Sequence, residues 1–285
     1  MKVKAYAKVN LALDVVDERE DGYHELRMVM APITLHDLLI IHPIKEKEIR
    51  LSSNSKVVPL DERNIVYKVA KRLIDDYHIE QGVKIHIYKH IPSQAGLAGG
   101  SADGAAVLCA LNKLFHLNLS KETLAQIGAT IGADIPFCIY NQTAEVQGIG
   151  EKLNFIDNHF SPHMLLVKPY KGVSTKKSFD SLDMNSAIHP NIDEMIEGIQ
   201  ENDYFKVVNS LGNSLEAPSE QIVKEIKKIK EEMLGLGFDG ALMSGSGSCV
   251  FGLTQDESVL QRGLDYFNGQ YFFVRATHIL HDYED

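Results

Sequence analysis

The sequence predicts an α+β protein built from two domains. Segments with alternating apolar residues, typical of strands, are interspersed with segments of helical periodicity, and the regular alternation of a doubly wound sheet is missing. A polar break at residues 154–162 interrupts the pattern and gives expected domains at 1–157 and 158–285. The 285 residues, 44% of them hydrophobic, are enough to bury a full core.

Period-two alternation and short apolar runs predict the strands. Asp21-Gly22 is a typical turn pair and separates the first two of them. In chain order, the predicted strands cover residues 2–16, 26–41, 83–88, 135–140, 143–149, 163–167, 241–244, 249–254 and 271–276.

Apolar residues three and four positions apart predict the helices. Asn64 opens the first of them, the second follows a glycine-rich segment and ends near Phe115, and Ser120 is a favourable cap for the third, which ends near Gly132. The later helices are predicted near residues 174–181, 191–200, 203–210, 220–234 and 256–266.

The segment Ile91–Ala106 (IPSQAGLAGGSADGAA) is the most informative part of the chain. It lies between a predicted strand and a predicted helix. Its small residues let backbone N–H groups approach a ligand closely, and the start of a helix carries partial positive charge. The segment therefore predicts an anion site, most naturally for phosphate, with a tight turn and a closely packed helix as the alternative.

Two other glycine-containing segments lie in the second half. Ser244–Ser248 (SGSGS) joins two predicted strands and is either a hairpin turn or a second wall beside the first loop. Gly235–Gly240 (GLGFDG) matches the dinucleotide-binding spacing, but it follows a helix and precedes a strand, which is the reverse of the dinucleotide-binding context. We interpret it as a helix end and a turn.

Two charged residues stand in apolar surroundings. Asp134 precedes Ile-Pro-Phe and should be partly buried, either as a structural cap or as a functional carboxylate. Lys8 interrupts an apolar strand, so its side chain either reaches solvent or faces a polar cleft. If the two meet, the ammonium would keep the carboxylate ionised and stabilise developing negative charge.

Composition excludes several classes of partner. A formal net charge of −10 argues against a general nucleic-acid or anionic-membrane surface. The sequence shows neither a signal peptide nor an apolar stretch long enough to span a bilayer, so a cytoplasmic protein is expected. Cys109, Cys138 and Cys249 lack paired spacing and are expected to be free, buried thiols. The histidines lack ligand spacing, which predicts no zinc.

Taken together, these pieces resemble the GHMP kinase superfamily over nearly the whole chain. The branch that phosphorylates a cytidyl diphosphate alcohol in non-mevalonate isoprenoid biosynthesis is the most similar. The resemblance implies two α+β domains with the active site in the cleft between them, a left-handed βαβ crossover in the first domain and a ferredoxin-like second domain. The matching segments are Ala7–Leu13, Asp21–His24, 91–106, Gly132–Pro136, Val173–Thr175 with Phe179, Asn213–Glu216 and Ser244–Ser248.

The resemblance also implies roles for individual residues. Lys8 and Asp134 would be the catalytic pair at the substrate hydroxyl. Tyr23 and Phe179 would stack on the cytosine, His24 would bond its edge, and Asn10 would contact the substrate near its reacting end. ATP would act with Mg²⁺, and the chain would be a monomer or weak homodimer. The ATP-binding residues would be Asn64, Gln94, Ala95, Gly96, Leu97, Ala98, Gly99, Gly100, Ser101, Ala102, Asp103, Gly104, Gly245, Ser246 and Gly247.

The glycine-rich loop departs from the family pattern at three positions. Ala98 replaces a glycine, Ala102 a serine and Gly104 an alanine. If Ala98 adopts a positive φ, its methyl group costs about 1 kcal/mol or more. These departures keep two alternatives open: a GHMP-type kinase for another alcohol, and a nucleotide-binding relative with little catalytic activity.

Overall fold

The computed structural model describes residues 1–20 and 22–281, so Asp21 of the predicted turn lies outside the described residues. The chain forms two compact units, each assembled from several segments. The first unit contains Met1–Ala7, Leu35–Ile91 and Ala98–Asn141. The second contains Lys8–Thr34, Pro92–Leu97 and the described residues from Gln142 onward. The domain boundary at 157/158 remains a prediction.

The strands are β1 (Lys2–Glu18), β2 (His24–Ile44), β3 (Ile49–Ser53), β4 (Gly82–Tyr88), β5 (Ala144–Gly148), β6 (Lys152–Phe155), β7 (His163–Lys168), β8 (Gly212–Asn213), β9 (Gly240–Met243), β10 (Val250–Thr254) and β11 (Phe273–Thr277). The helices are α1 (Ile65–Asp76), α2 (Gly99–Leu114), α3 (Lys121–Ala129), α4 (Ile135–Tyr140), α5 (Thr175–Asp180), α6 (Ile192–Gln200), α7 (Tyr204–Asn209), α8 (Glu216–Ile222), α9 (Glu225–Gly235) and α10 (Glu257–Phe267).

In the first unit, helices cover a small sheet. β4 pairs antiparallel with the end of β2, from Leu38 opposite Tyr88 to Ile44 opposite Gly82, and pairs parallel with β3. Alternate residues of β4, among them Ile85 and Ile87, are fully buried, as its period-two pattern requires. Helix α2 packs against α1 and α4.

The second unit contains a four-stranded antiparallel sheet in the order β11-β7-β10-β9. Helices α9 and α10 pack on this sheet through apolar residues such as Ile229 and Met233. The start of β2 pairs with β5, which pairs with β6, and β1 pairs with the short β8 at Ala12 and Gly212. β1 and β2 each run from one unit into the other.

Most predicted elements are confirmed within a few residues, but the predicted strand at 135–140 is wrong. These residues form helix α4, whose apolar side chains are buried from Ile135 through Ile139. A short helix buried on every side lacks the one-sided pattern that would identify it. Pro136 in its first turn is a helix-start signal that favours this structure over a strand.

The single helix predicted at 220–234 is also wrong, since the structure has two shorter helices there. The first begins earlier than expected, at Glu216, because Pro218 is tolerated in a first turn. Val223 then adopts an extended conformation and ends it. The carbonyl of Ile222 accepts a 2.7 Å hydrogen bond from Lys171 Nζ, so the break leaves this group satisfied. The short strands β3, β6 and β8 were not predicted.

Candidate functional site

Two glycine-containing loops lie against each other in the second unit. Gly96 has φ +72°, and a Cβ there would lie 1.8 Å from the carbonyl oxygen of Ser244, so only glycine fits. Two backbone hydrogen bonds extend this contact. Ser248 N–H donates to Gln94 O at 3.3 Å, and Cys249 N–H donates to Ala95 O at 3.2 Å. Both interpretations of Ser244–Ser248 hold. The segment connects β9 and β10 as a hairpin, and it also lies beside the first loop.

Lys8 and Asn10 lie on the same face of β1 beside these loops. Both are buried, and Lys8 Nζ donates to Asn10 Oδ1 at 2.6 Å. The backbone N–H of Asn10 donates to Ser244 Oγ, which in turn donates to Gly96 O at 3.0 Å. A series of hydrogen bonds therefore connects the buried lysine, through Asn10, to both loops. Of the two alternatives considered for Lys8, the structure excludes a side chain that reaches solvent, and the polar cleft remains a prediction.

Neutral side chains of neighbouring segments bond the Ser244–Ser248 loop, and the buried carboxyl group of Glu216 accepts from Met243 N–H, just before the loop, at 2.8 Å. Asn213 Nδ2 donates to Met243 O and to Gly245 O, both at 2.8 Å, and its Oδ1 accepts from Leu215 N–H. Ser219 Oγ donates to Ser246 O at 3.1 Å. Asn213 is buried, so its three bonds replace those that water would make. The sequence predicted no role for Asn213, although it begins the matching segment Asn213–Glu216.

His24 and Phe179 form an aromatic pair in the same unit. Their ring centroids are 4.8 Å apart with an interplanar angle of 33°. Tyr23, next to His24, is 60% exposed. The structure therefore brings together two of the three aromatic residues that the sequence proposed for base recognition.

The glycine-rich loop enters α2 in the first unit. Ala98, the residue before the helix, has φ 55° and lies in the left-handed region, so the conditional strain predicted for its methyl group is present. No side chain caps the helix at Ala98, and Gly100 is exposed. The first amide groups of a 16-residue helix are thus left for another acceptor, which is the arrangement of an anion site.

The later residues of this predicted ATP segment face inward. Ala102, Asp103 and Gly104 are buried in α2. A Cβ on Gly104 would lie 2.7 Å from Ile65 Cγ2, so the glycine permits close packing of α1 on α2. Asn64 caps α1 by accepting from Val66 N–H at 2.9 Å and donates to Pro59 O. These buried residues pack beneath the start of α2. Ala98–Ser101 are less buried and form the accessible part of the segment.

Asp134 is the residue before α4 and is half-buried, as expected from its apolar neighbours. It follows Gly132, where a Cβ would lie 3.7 Å from Ser101 Oγ. The structure therefore places the segment carrying Asp134 against the first turn of α2. Lys8 belongs to the other unit, and its pairing with Asp134 remains a prediction.

A buried ionic cluster closes the base of the loop, and sequence reasoning missed it. Lys89 Nζ donates to carboxylate oxygens of Asp37 and Asp103, with 2.7 Å to Asp103 Oδ2. Burial raises the pKa of Asp103 to about 8, against the opposing effect of Lys89. A signal was present, since Asp37 is a lone carboxylate in an apolar strand, as Lys8 is a lone ammonium.

The structure also bears on metals, thiols and membranes. Across residues 1–20 and 22–281, no group of three or more His, Cys, Asp or Glu side chains is arranged to hold a metal ion. Cys138 and Cys249 are buried free thiols, and Cys109 is a half-buried one. None of the helices in the described part of the chain has the length and apolarity needed to span a bilayer.

Comparison with known protein families identifies two matching models. The model for the N-terminal domain of GHMP kinases matches residues 64–142, and the model for their C-terminal domain matches residues 195–272. The chain is 47% identical over 277 residues to the 4-diphosphocytidyl-2-C-methyl-D-erythritol kinase of Bacillus subtilis, covering 95% of both chains. It is 46% identical to the enzyme of that name in Clostridium beijerinckii, covering 97% of this chain and 99% of the relative.

Solved structures give the same result. A crystal structure of 4-(cytidine 5'-diphospho)-2C-methyl-D-erythritol kinase matches with a TM-score of 0.84 and 30% identity, covering 99% of this chain and 100% of the other. The mevalonate kinase of Methanococcus jannaschii matches with a TM-score of 0.70 and 18% identity, covering 99% of this chain and 98% of the other, which shows a shared fold alone.

Proposed function

Because this chain belongs to the GHMP kinase family, we propose that it transfers the γ-phosphoryl group of ATP to the 2-hydroxyl of 4-diphosphocytidyl-2-C-methyl-D-erythritol. The observation that carries the proposal is the seating of Gly96 against Ser244, beside the buried Lys8 and Asn10. The acceptor follows from relatives of that name, which match nearly the full chain at 44–47% identity.

The phosphates of ATP are the natural ligand for the start of α2. The amide groups that follow Ala98 lack a side-chain cap, and the helix dipole favours negative charge at this end. Gln94–Leu97 and Gly245–Gly247 would line the triphosphate further, and the small residues among them (Ala95, Gly96 and Gly245–Gly247) let it approach the backbone. Asn64 would lie near the adenine through its place at the start of α1, while Ala102–Gly104 contribute by packing.

Asp134 and Lys8 are the proposed catalytic pair. Phosphoryl transfer depends mainly on positioning and on stabilising charge, so little covalent chemistry is required of the protein. Asp134 accepts or orients the proton of the substrate hydroxyl. Lys8, held by Asn10, keeps the carboxylate ionised and stabilises the transferring group.

The cytidine is recognised by Tyr23, His24 and Phe179. The existing ring pair of His24 and Phe179 offers a preformed apolar edge, and the exposed Tyr23 stacks on the base. A nitrogen of the His24 ring bonds the edge of the cytosine. Asn10, near Lys8, contacts the substrate close to its reacting end.

Mg²⁺ would accompany ATP, bound by phosphate oxygens and a small number of protein oxygens. The residues that the structure describes bring together no cluster of three or more His, Cys, Asp or Glu side chains, so phosphate oxygens and water would supply most of its ligands. Asp103 does not fit, since its carboxyl group is buried and bonded to Lys89. When bound, the ion neutralises charge on the phosphates.

The test is an ADP-release assay with the purified cytidyl substrate and, in parallel, mevalonate, homoserine and galactose. We expect turnover of the cytidyl substrate only. Equal turnover of another alcohol would identify a GHMP kinase of different specificity. ATP binding with no turnover of any alcohol would identify a nucleotide-binding relative, the alternative that the changes at Ala98 and Ala102 motivate.

Within this assay, Asp134→Asn should lower kcat by roughly 10²–10⁴ while the affinity for ATP is retained, because the variant removes the proton acceptor and leaves the phosphate loop intact. Isothermal titration with a non-hydrolysable ATP analogue measures the affinity. Unchanged turnover in Asp134→Asn would remove this residue from the mechanism.

A further inference from the structure

We propose that Lys89, Asp37 and Asp103 are positioning residues for nucleotide binding, which fix the two ends of the glycine-rich loop. This inference rests on the proposed binding of ATP. The three side chains lie in the first unit, and each is almost fully buried. Their carboxyl and ammonium groups bond one another at the point where the chain enters and leaves residues 92–98.

Asp37 and Lys89 hold the entry to the loop. Asp37 Oδ1 accepts hydrogen bonds from the backbone N–H groups of His90 at 2.5 Å and of Ile91 at 2.8 Å. The other oxygen of Asp37 accepts from Lys89 Nζ. Since Asp37 belongs to β2, these bonds fix the last residues before the loop to the sheet.

Lys89 also holds the exit. Its Nζ donates to Asp103 Oδ2 in α2 at 2.7 Å and lies 3.4 Å from Gly99 O, in the first turn of that helix. A Cβ on Gly99 would lie 2.8 Å from Ile91 Cγ2 and 3.4 Å from Lys89 Nζ, so the two ends of the loop are in contact. The ammonium of Lys89, the residue after β4, therefore links the start of the loop to the helix whose first amides would bind phosphate.

The charge of the cluster matters because it lies behind an anion site. With both carboxyl groups ionised, the cluster carries a net negative charge, which opposes phosphate binding. With a proton on one of them it is neutral. Burial is the main reason that Asp103 holds its proton more tightly than usual. Oδ1 of Asp103 has no hydrogen-bond partner within the described structure, which also disfavours a charge at this atom.

Among the described residues, the titratable groups that act on Asp103 are Lys89 and Asp37. The neighbouring helices α1 and α4 present aliphatic side chains to this part of α2, namely Ile65, Val69 and Ile135 around Gly104. The protonation of Asp103 is therefore governed by burial and by these two partners.

The main experiment measures binding of a non-hydrolysable ATP analogue to Lys89→Met by calorimetry. We expect a folded variant whose Kd for the analogue rises by roughly tenfold to a hundredfold, since small displacements of binding groups have effects of this size. Its KM for the cytidyl substrate should stay within about twofold, because Tyr23, His24 and Phe179 lie in the other unit. General damage to the fold would weaken both ligands.

The matched control is Lys71→Met. Lys71 forms an exposed ion pair with Asp75 on α1, in the same unit. The control therefore removes the same charge from a surface pair that does not bond the glycine-rich loop. If Lys89→Met does not fold, Lys89→Met combined with Asp103→Leu and Asp37→Asn removes all three buried charges and keeps an amide oxygen for the N–H groups of His90 and Ile91. A folded single or triple variant that binds the analogue as tightly as the wild type overturns the proposal.

The pH dependence provides a readout that a purely structural role would not change. Between pH 7 and pH 9 the wild type should lose affinity for the analogue, because Asp103 gives up its proton and a negative charge appears behind the phosphates. Asp103→Asn should show a flatter profile. Equal slopes in the two proteins would overturn the electrostatic part of the proposal.

The free energy of unfolding should also depend on the protonation of Asp103. Asp103 is an acid whose folded pKa is raised, so the folded state binds the proton more tightly than the unfolded state. The free energy of unfolding of the wild type relative to Asp103→Asn should therefore fall as the pH rises from about 4 to about 8. A wild type that binds no ATP analogue at all would instead refute the proposed function, and the positioning role with it.

Discussion

The two glycine-containing loops of this chain are held in different ways. The loop before α2 is closed by a buried ammonium and two carboxyl groups, with Lys89 at the centre. The loop between β9 and β10 is bonded by the carboxamide of Asn213 and the hydroxyl of Ser219, both neutral groups, and the nearest charged support is Glu216, which accepts from Met243 N–H just before the loop. Charged hydrogen bonds are stronger but costly to bury, whereas neutral ones fix geometry with a smaller desolvation cost.

The difference matches what each loop must do. The first loop ends in a long helix whose positive end would attract phosphate, so the protonation of its ionic support changes the local field. The second loop lies against Gly96, where the close approach of the two backbones requires a residue without a side chain. Three substitutions separate these contributions, beginning with the contact that the two loops share.

Gly96→Ala should have the largest effect. The new methyl group would meet Ser244 O, and φ is +72°, so both overpacking and backbone strain oppose the change. We expect a loss of about 3 kcal/mol or more in the free energy of unfolding, together with loss of ATP binding. Urea denaturation and calorimetry measure the two quantities.

Gly269→Ala is the control for Gly96→Ala. Gly269 has a similar φ of +78°, but a Cβ there would meet nothing within 4 Å. This variant should lose only the cost of the positive φ, about 1–2 kcal/mol, and retain ATP binding. Equal losses in the two variants would show that the contact between the loops contributes nothing.

Asn213→Ala should have the next largest effect. It leaves the carbonyl groups of Met243 and Gly245 without their buried donor, at a cost of about 2–3 kcal/mol in the free energy of unfolding. The second loop should loosen, which raises the KM for ATP. Because Asp103 is unchanged, the KM should rise by the same factor over the wild type at both pH values. Thermal denaturation and the ADP-release assay at two pH values measure both effects.

Asn158→Ala provides the comparison for Asn213→Ala. Asn158 also uses both ends of its carboxamide, donating to Thr143 Oγ1 and accepting from Phe160 N–H, but it is bonded to neither glycine loop. It should be destabilised with an unchanged KM for ATP. If Asn213→Ala behaves in the same way, the neutral support of the second loop is not needed for nucleotide binding.

Much of this arrangement could be predicted from the sequence, because it is local. The strand–loop–helix order around Gly96, the cap at Asn64 and the unusual Lys8 all depend on neighbouring residues, and the resemblance to the GHMP kinases, now confirmed, supplied the fold class. The role of a residue such as Asn213, which bonds carbonyls 30 and 32 positions away, has no local signal.

The errors had the same physical origin. Helix α4 is buried on all sides and gives no helical periodicity, so an apolar run of six residues fits a strand equally well. Asp37 comes from β2, Lys89 follows β4 and Asp103 lies in α2, and although Asp37 alone gave a signal, only the fold brings its two partners to it. The roles of Lys8, Asp134 and the aromatic residues stay predictions.

Ala98→Gly should have the smallest effect and the opposite sign. Ala98 has φ 55°, so its methyl group costs about 1–2 kcal/mol, while glycine loses about 0.4–1 kcal/mol through the entropy of the unfolded chain. The variant should gain roughly 0.5–1 kcal/mol in the free energy of unfolding. His78→Gly, at φ 51° after α1 in the same unit, should gain a similar amount far from the loop sequence. If Ala98→Gly gains stability and also binds ATP more tightly than His78→Gly, the strain at Ala98 opposes the binding conformation of the loop. If it gains stability with unchanged affinity, the strain at Ala98 has no part in the binding conformation. A loss of stability in Ala98→Gly would mean that the methyl group makes favourable contacts that outweigh its strain.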